Sequence, residues 1–367
     1  MEIDRHQAFT KIYPAKLFSS GAPAGEKRRC SRILIGSSDA SMGISAPHSS
    51  LVIRDIDSFA DIERLPQLEK EVWELADADV TPLTLLIAMR AAGSVVVGAF
   101  DGSRLVGFAL AFPSLEHGTT GFHSHMLAVR RDYREHGLGF RLKLAQRERA
   151  LSLGIKEMTW TFDPLRSTNA HLNFEKLGVV SNSYRPDFYG PHTSSALHSN
   201  GTDRLWVRWQ MAESRVEERF NGKSSRSEIL DTLKHLEPLV RFNGDGRPAA
   251  GNMDVALSKQ RVAIEIPGDI GPIEKQDRHL AREWRLATRH AFTESLRAGF
   301  EVKEFCRWIR GQQGPGAYLL ERAASENAWA ALSVSEKDFP RVPRQSSSML
   351  HVRERQLCHR EGPTPFR

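Results

Sequence analysis

Between residues 51 and 211 the apolar positions recur with two different spacings. Short runs rich in β-branched and aromatic residues, such as 94–100, 104–113 and 122–129, predict strands. Segments in which apolar residues recur every three or four positions, such as 59–73 and 82–92, predict helices. The order is strand, two helices, three strands, helix, strand, helix, strand. This order predicts an α/β fold of the α+β type, with a mixed, mainly antiparallel sheet flanked by helices.

A second patterned region follows a polar stretch at 212–250. It predicts a strand at 260–267, a long helix at 273–298 and strands at 300–309 and 316–322, which together make a small β-α-β-β lobe. Three strands and one helix bury too little apolar surface to fold alone. We therefore predict that this lobe docks on the first domain through the helix face that carries Trp284 and Leu296.

These patterns divide the chain into four segments. Residues 1–50, rich in Ser, Gly, Ala and Pro, predict a disordered extension. Residues 51–211 form the main domain, 212–321 the accessory lobe, and 322–367 a disordered tail.

Charge and cysteine content narrow the class of protein. The 51 basic and 45 acidic residues are intermixed, and a net charge of +6 without a basic patch makes nucleic acid an unexpected partner. Cys30, Cys306 and Cys358 lie far apart with no metal or redox spacing, which favours a reducing, cytoplasmic compartment. No apolar run reaches the roughly 20 residues that a membrane helix needs.

The stretch "VRRDYREHGLGFRLK" at 129–143 joins a predicted strand to a predicted helix. Gly137 and Gly139 let a ligand approach the backbone, and the first amides of the helix have no partner within it. These donors, the helix dipole and Arg134 favour an anion such as pyrophosphate. The spacing fits neither a P-loop nor a dinucleotide fingerprint, in which Leu142 would be the third glycine.

This junction resembles the cofactor motif of the GNAT superfamily of acetyl-CoA-dependent acyltransferases. The matching features are an apolar strand that ends in Val129, then Tyr133, Arg134, Gly137 and Gly139, and downstream "NAHLNFEKLG". The resemblance covers about 51–211. The stretches "YG" at 189–190, "TDRLWVRW" at 202–209 and "VAIEIP" further resemble a branch with a C-terminal extension.

The resemblance implies a fold, an acyl donor and a cofactor site. It implies a GNAT-like acyltransferase with acetyl-CoA as acyl donor, no metal, and a small-molecule or peptide amine as acceptor, and a homodimer is compatible with it. Backbone groups of one strand segment would pair with the pantetheine arm, and the following loop would hold the pyrophosphate. The residues concerned are Leu127, Ala128 and Val129 for the arm, and Arg134, Glu135, His136, Gly137, Leu138 and Gly139 for the pyrophosphate. Asn169 is a further candidate cofactor contact, with a helix cap or turn as the alternative.

The candidate general bases are two histidines on the strand that leads into the motif. His123 and His125 are two positions apart and therefore predicted on one face of the strand. An imidazole suits proton removal from an amine because its ordinary pKa lies near neutrality. The alternative is that both rings only pack on a polar sheet face. A metal is not predicted, because no third ligand is indicated.

One position departs from the resemblance. The family commonly has a tyrosine that protonates the departing thiolate, and Phe174 stands there. Tyr184 or Tyr189 could replace it, or water could. We therefore keep two hypotheses, an N-acetyltransferase and a non-catalytic acyl-CoA-binding or scaffold protein.

Four arginines form a stripe on the long predicted helix. Arg278, Arg282, Arg285 and Arg289 follow helical spacing. The stripe is predicted to lie near solvent or the acceptor cleft. It is either a solvated face or a site for a carboxylate substrate, the 3′-phosphate of CoA, or nucleic acid.

Overall fold

Twelve strands of the described residues hydrogen-bond into one sheet. The computed structural model describes residues 51–116, 118–190, 198–222, 226–311 and 313–323. The predicted disordered extension at 1–50 lies outside these residues, and so does the predicted tail at 322–367 apart from its first two residues. The strands are β1 (Leu51–Asp55), β2 (Val95–Asp101), β3 (Arg104–Glu116), β4 (Thr119–Val129), β5 (Glu157–Phe162), β6 (Val180–Arg185), β7 (Arg204–Gln210), β8 (Pro238–Phe242), β9 (Pro248–Ala250), β10 (Arg261–Ile266), β11 (Phe300–Cys306) and β12 (Gly316–Arg322).

The strand order confirms the predicted mixed, mainly antiparallel sheet. It runs β1-β2-β3-β4-β5-β7-β6-β11-β12-β10-β8-β9. The pairs β4–β5 and β8–β10 are parallel, and the other pairs are antiparallel. A single residue pair, Ser181 with Val302, connects β6 to β11 and so joins the two predicted segments into one sheet.

Helices flank the sheet and bury two main apolar layers. They are α1 (Phe59–Ile62), α2 (Leu65–Trp73), α3 (Leu83–Ala91), α4 (Leu138–Ser152), α5 (Ser167–Ala170), α6 (Ser214–Phe220), α7 (Arg226–Lys234), α8 (Met253–Leu257), α9 (Gly271–Gln276) and α10 (Arg278–Arg297). Leu65 and Leu86 of α2 and α3 pack against Phe108 of β3 in one layer. The larger layer contains Leu142 of α4 and Phe292 of α10. Burial of these side chains is the main stabilising term of the fold.

The second segment contains more strands and helices than its sequence pattern predicted. The prediction of three strands and one helix was wrong, because this part contains β8–β12 and α6–α10. The predicted helix at 273–298 is two helices, since Asp277 is extended and its side chain caps α10 at the Leu280 amide. In the first segment, β6 was not predicted. The helix predicted at 169–178 consists of the end of α5 and a π-helical turn, His171–Lys176.

The arginine stripe on α10 connects this helix to the first segment. Arg285 is fully buried, and its Nη1 and Nη2 donate to the Asp163 carboxylate at 2.8 and 2.9 Å. Arg289 donates to Asp203 at 2.8 Å and to Asp187 at 2.8 Å. The prediction that the stripe lies near solvent was therefore wrong for Arg285, because Asp163 at the end of β5 supplies a buried counter-charge.

Two aromatic side chains of α10 pack in different directions. Trp284 donates its indole N–H to the Gly246 carbonyl at 3.0 Å and stacks on Phe242, so it packs within the second segment. Phe292 stacks on Tyr184 of β6 with ring centroids 5.4 Å apart. The part of the predicted docking face that contacts the first segment is thus the part around Phe292.

Candidate active site

The two central parallel strands diverge and leave part of one strand edge open. β4 pairs with β5 at two positions, Phe122 with Met158 and His123 with Thr159. Beyond His123, the described part of β5 supplies no backbone partner to residues 124–129. Apart from His125, those residues remain paired with β3 on their other side. The backbone groups of an open edge are free to pair with an added extended chain.

A β-bulge at His125 marks the point where the strands part. Leu110 of β3 pairs with Met126, but the next residue pairs with Ser124, so His125 is the extra residue. Ser124 contacts α4, where its hydroxyl donates to Gln146 Oε1 at 2.8 Å. Met126 belongs to the opposite apolar layer. The bulge therefore reverses which side chains face α4 along β4.

The loop between β4 and α4 ends in a backbone arrangement suited to an anion. Gly137 is the residue before α4 and is left-handed, with φ 70° and ψ 11°, and no side chain caps the helix there. Glu135 is also left-handed, with φ 68°. The first helical bond runs from the Arg141 amide to the Gly137 carbonyl, so the amides of residues 138–140 have no acceptor within the helix. Their N–H groups and the helix dipole make this end electropositive.

The predicted cradle residues surround this helix end. His136 and Gly137 are exposed, whereas Leu138 is buried and anchors the first turn. A β-carbon at Gly139 would lie 3.7 Å from the Leu127 side chain, beside the open edge of β4. The helix end and the open edge are thus neighbours, as a ligand with both an extended arm and an anionic group requires.

Arg134 is positioned by backbone carbonyls. Its Nε donates to the Val129 carbonyl at 3.0 Å and its Nη2 to the Val72 carbonyl at 3.4 Å. The side chain is exposed at the end of β4. Its predicted contact with phosphate stays a prediction.

His123 is half-buried and lies at one end of a series of side-chain hydrogen bonds. Its Nδ1 lies 3.1 Å from the Thr159 hydroxyl, which donates to Glu116 Oε1 at 2.9 Å. Because the hydroxyl proton goes to the carboxylate, the Thr159 oxygen accepts the proton on Nδ1, and Nε2 is left as an acceptor. The ring lies between Phe112 and Trp206, at centroid distances of 5.4 and 4.8 Å.

The surroundings change the proton affinity of His123. Burial, His125 and Lys143 lower the pKa of His123 to about 4. The pKa of His123 therefore lies below the ordinary value of a histidine. At neutral pH the imidazole is uncharged and its Nε2 lone pair is available.

His125 shares the face of His123. Its ring centroid lies 5.8 Å from that of Phe112, and its side chain is exposed. Enclosure by the protein lowers the pKa of His125 below its ordinary value. Both candidate bases therefore contact Phe112, and His123 alone is supported by Thr159 and Glu116.

The other predicted site residues lie farther from His123. Phe174 is fully buried against Phe162 and Tyr318 and offers no proton. Tyr184 donates to Asp203 at 2.5 Å, and burial together with this carboxylate raises its pKa well above the ordinary value.

Tyr189 and Asn169 are accessible. Tyr189 is 42% exposed, stacks on His198 and contacts Phe188, which in turn contacts Trp206. Two aromatic rings thus separate it from His123. Asn169 is exposed on α5, and its amide donates to the Arg166 carbonyl, as in a helical turn.

A buried lysine behind the bulge was missed by sequence reasoning. Lys143 Nζ donates to the Ser124 hydroxyl at 2.8 Å and lies 3.6 Å from the Trp160 ring centroid. Burial lowers its pKa well below the ordinary value. Thr159 and Glu116 were also missed, because nothing local signals a contact between residues 43 positions apart.

Two classes of feature are not seen in the described residues. Within these ranges no three histidine, cysteine, aspartate or glutamate side chains group as a metal site would need. The helices of the same ranges are too short or too polar to cross a bilayer.

Comparison with known proteins decides the family of the first segment. Residues 57–179 match the model of the acetyltransferase (GNAT) family. These residues form a GNAT acetyltransferase domain. The match covers the open β4 edge, the loop before α4 and the helices after β5, and it confirms the resemblance read from the motif. A comparison with curated proteins found no match.

Solved structures resemble part of this chain. An aminoglycoside 6′-acetyltransferase type Ii is 22% identical, with a TM-score of 0.36 over 44% of this chain and 98% of its own. An Elizabethkingia anophelis GNAT acetyltransferase with acetyl-CoA bound is 15% identical, with a TM-score of 0.35 over 44% and 99%. A Streptococcus pneumoniae acetyltransferase of the GNAT family is 16% identical, with a TM-score of 0.36 over 43% and 98%.

Proposed function

We propose that the protein is an N-acetyltransferase that transfers the acetyl group of acetyl-CoA to a small-molecule or peptide amine. The observation that carries the proposal is the open backbone edge at 124–129 next to the uncapped end of α4. The edge suits the amide-bearing pantetheine arm, and the amides of residues 138–140 suit a pyrophosphate. Acetyl-CoA supplies an activated thioester when bound.

His123 is the proposed proton acceptor. Its uncharged Nε2 would take the proton of the attacking amine as the C–N bond forms and the C–S bond breaks. Thr159 would hold the ring in the required tautomer, with Glu116 balancing the transient positive charge. A base with a pKa of about 4 stays unprotonated across the whole neutral range, at the cost of a weaker affinity for the proton.

The released thiolate needs a proton from a source other than Phe174. Phe174 has none, and Tyr184 holds its proton towards Asp203. Water is the proposed donor. The thiolate of CoA is a good leaving group even without a proton donor. Phenylalanine at position 174 is therefore compatible with turnover.

The test measures thiol release from acetyl-CoA by the full chain with pooled primary amines, and acetyl-CoA affinity by calorimetry. We expect amine-dependent release of CoA. Gly139→Val should abolish acetyl-CoA binding without unfolding the protein, because its first added carbon meets Leu127 at an ordinary contact distance. Gly244→Val, at a glycine that is not left-handed and where an added β-carbon meets no atom within 4 Å, controls for the change of residue type. Normal acetyl-CoA affinity in Gly139→Val would contradict the cradle assignment.

A non-catalytic acyl-CoA-binding protein is the second candidate. Phe174 favours it, because this residue sits where the family commonly places a proton donor and is locked in an apolar cluster. Tight acetyl-CoA binding with no amine-dependent thiol release, in wild type and Phe174→Tyr alike, would favour this candidate over the enzyme.

A further inference from the structure

Two arginines face each other across β6 and β7 without a carboxylate between them. Arg185 pairs directly with Arg204 in the register of these antiparallel strands. Directly opposed residues have β-carbons about 5 Å apart, and like charges at that position destabilise a sheet. Such a pair needs a compensating anion or a functional reason.

Neither guanidinium is held by a carboxylate of the described residues. The buried Nε of Arg185 has no hydrogen-bond partner there, and its guanidinium carbon lies 5.7 Å from the Trp206 ring centroid. Arg204 donates to the Asp203 backbone carbonyl at 2.9 Å and lies over the Tyr189 ring. Burial lowers the pKa of both arginines, so both charges are partly desolvated.

Nearby carboxylates are already engaged. Glu116 acts on the charge of Arg185, but it accepts the Thr159 hydroxyl and lies 3.9 Å from Arg208. Glu157 lies 3.4 Å from Arg208 as well. Asp163 acts on the charge of Arg204, but it accepts two hydrogen bonds from Arg285. Each carboxylate near the Arg185–Arg204 pair thus has another partner.

The pair lies on the sheet face of His123. Along β7, Leu205, Val207 and Trp209 are fully buried, whereas Arg204, Trp206 and Arg208 are half-buried on the other face. Register places Arg208 opposite Thr159, and Thr159 opposite His123. Trp206 contacts both His123 and Arg185, so one indole separates the proposed base from the arginine pair.

We infer that Arg185 and Arg204 together bind an oxyanion of the acceptor, a carboxylate or a phosphate a few bonds away from the amine that is acetylated. The inference rests on the proposed acetyltransferase function and specifies its substrate class. The two guanidinium groups supply charge-assisted donors to the oxyanion. The Trp206 ring forms the wall between the anion and His123, which places the amine at the base.

The experiment compares matched acceptors with the full chain. β-Alanine is tested against β-alaninamide, and 2-aminoethyl phosphate against ethanolamine, each as the acceptor with acetyl-CoA. We expect the anionic member of one pair to have a KM at least about tenfold lower, since it gains charged hydrogen bonds that its neutral partner cannot make. The pair with the larger ratio distinguishes carboxylate from phosphate. Equal KM values within both pairs would overturn the inference and leave the acetyltransferase proposal standing.

Variants assign the effect to the arginine pair. Arg185→Gln should raise KM for the anionic acceptor about tenfold while leaving kcat, the neutral acceptor and acetyl-CoA affinity unchanged. Arg185→Lys should keep part of the discrimination. Arg241→Gln, on β8 and paired with Glu237, is the matched control and should behave as wild type. Equal losses for anionic and neutral acceptors would overturn the inference.

Stability and direct binding supply two further readouts. Removing one of two facing like charges should leave the melting temperature of Arg185→Gln unchanged or higher, and a clear fall would make Arg185 a structural residue and overturn the inference. If wild type binds acetyl-CoA but acetylates no amine, the proposed function is wrong. Calorimetry with succinate and inorganic phosphate then decides: binding lost in Arg185→Gln supports an anion site, and no binding to wild type overturns it.

Discussion

Replacing Arg285 by methionine tests the ion pair that ties α10 to the GNAT domain. Arg285 is 0% exposed, makes two hydrogen bonds to Asp163 and donates a third from Nε to the Asn200 carbonyl at 2.9 Å. Methionine keeps a flexible apolar stem of similar length and removes all three donors. The variant therefore isolates the loss of a buried charge partner from a large loss of volume.

The expected magnitude follows from what remains around Asp163. Its side chain is 11% exposed, and after the substitution Arg166 at 3.6 Å is its remaining ion-pair partner among the described residues. Removing one partner of a buried pair costs about 3–5 kcal/mol. At about 2–4 °C per kcal/mol for a domain of this size, the melting temperature should fall by roughly 6–20 °C.

Circular dichroism at pH 7 measures the effect. Arg282→Met is the matched control, because Arg282 is exposed on the same helix and should change stability by less than about 0.5 kcal/mol. The double variant Asp163→Asn with Arg285→Met should lose much less than the two single losses combined, since it leaves no unpaired charge. A melting temperature of Arg285→Met equal to that of Arg282→Met, or fully additive losses, would refute the reasoning.

The same pair predicts how stability depends on acid. Burial alone would raise the pKa of Asp163, but Arg285 outweighs it and the pKa is lowered below 3.8. The stabilisation is then present above the unfolded pKa and is lost as pH falls below 3.8 through the folded pKa. The advantage of wild type over Arg285→Met should accordingly shrink only in that acidic range.

Three further predictions concern His123, Lys143 and the division of the chain. Because the pKa of His123 is lowered, the unfolded state binds a proton before the folded state does as pH falls from 6.5 to about 4. The free energy of unfolding of wild type, measured by urea titration, should fall across this pH window, and that of His123→Gln should fall less. An equal fall in both proteins would contradict the lowered pKa. Lys143→Met should be more stable than wild type at pH 7, because the folded state disfavours the charged amine that the unfolded chain carries. The difference in stability should vanish towards pH 10.5, and a difference that stays constant with pH would contradict the lowered pKa of Lys143. A truncated chain of residues 51–211 should aggregate in light scattering, because it exposes Phe174 and Tyr184, and a monomeric fragment as stable as the full chain would contradict the docked lobe.

Local patterns predicted most of the first segment well. The runs that became β2, β3, β4 and β5 are apolar enough to be strands in many contexts, and Asp-Gly at 101–102 marks the hairpin between β2 and β3. β6 escaped prediction because "VSNSYR" has no apolar alternation. It is a strand because β7 pairs with it on one side and β11 touches it on the other.

The candidate site also has features that local sequence predicts and features that it does not. The backbone geometry at the start of α4 was predictable because a left-handed glycine and a helix start are properties of adjacent residues. The support of His123 was not, because Thr159 and Glu116 reach it from two other strands. The role of Arg285 was predicted wrongly, since helical spacing shows that four arginines share a face but not what that face meets.

The sequence by itself determined where most strands of the first segment form and where α4 begins, because these depend on neighbours a few positions away. Only the tertiary structure decided which charges are paired, which are buried and which proton affinities change. Arg285 forms an ion pair with Asp163, Arg185 lies opposite Arg204, and the pKa of His123 falls to about 4. The physical reason is that desolvation and Coulomb interactions act through space over a few ångströms, between residues that are far apart in the chain.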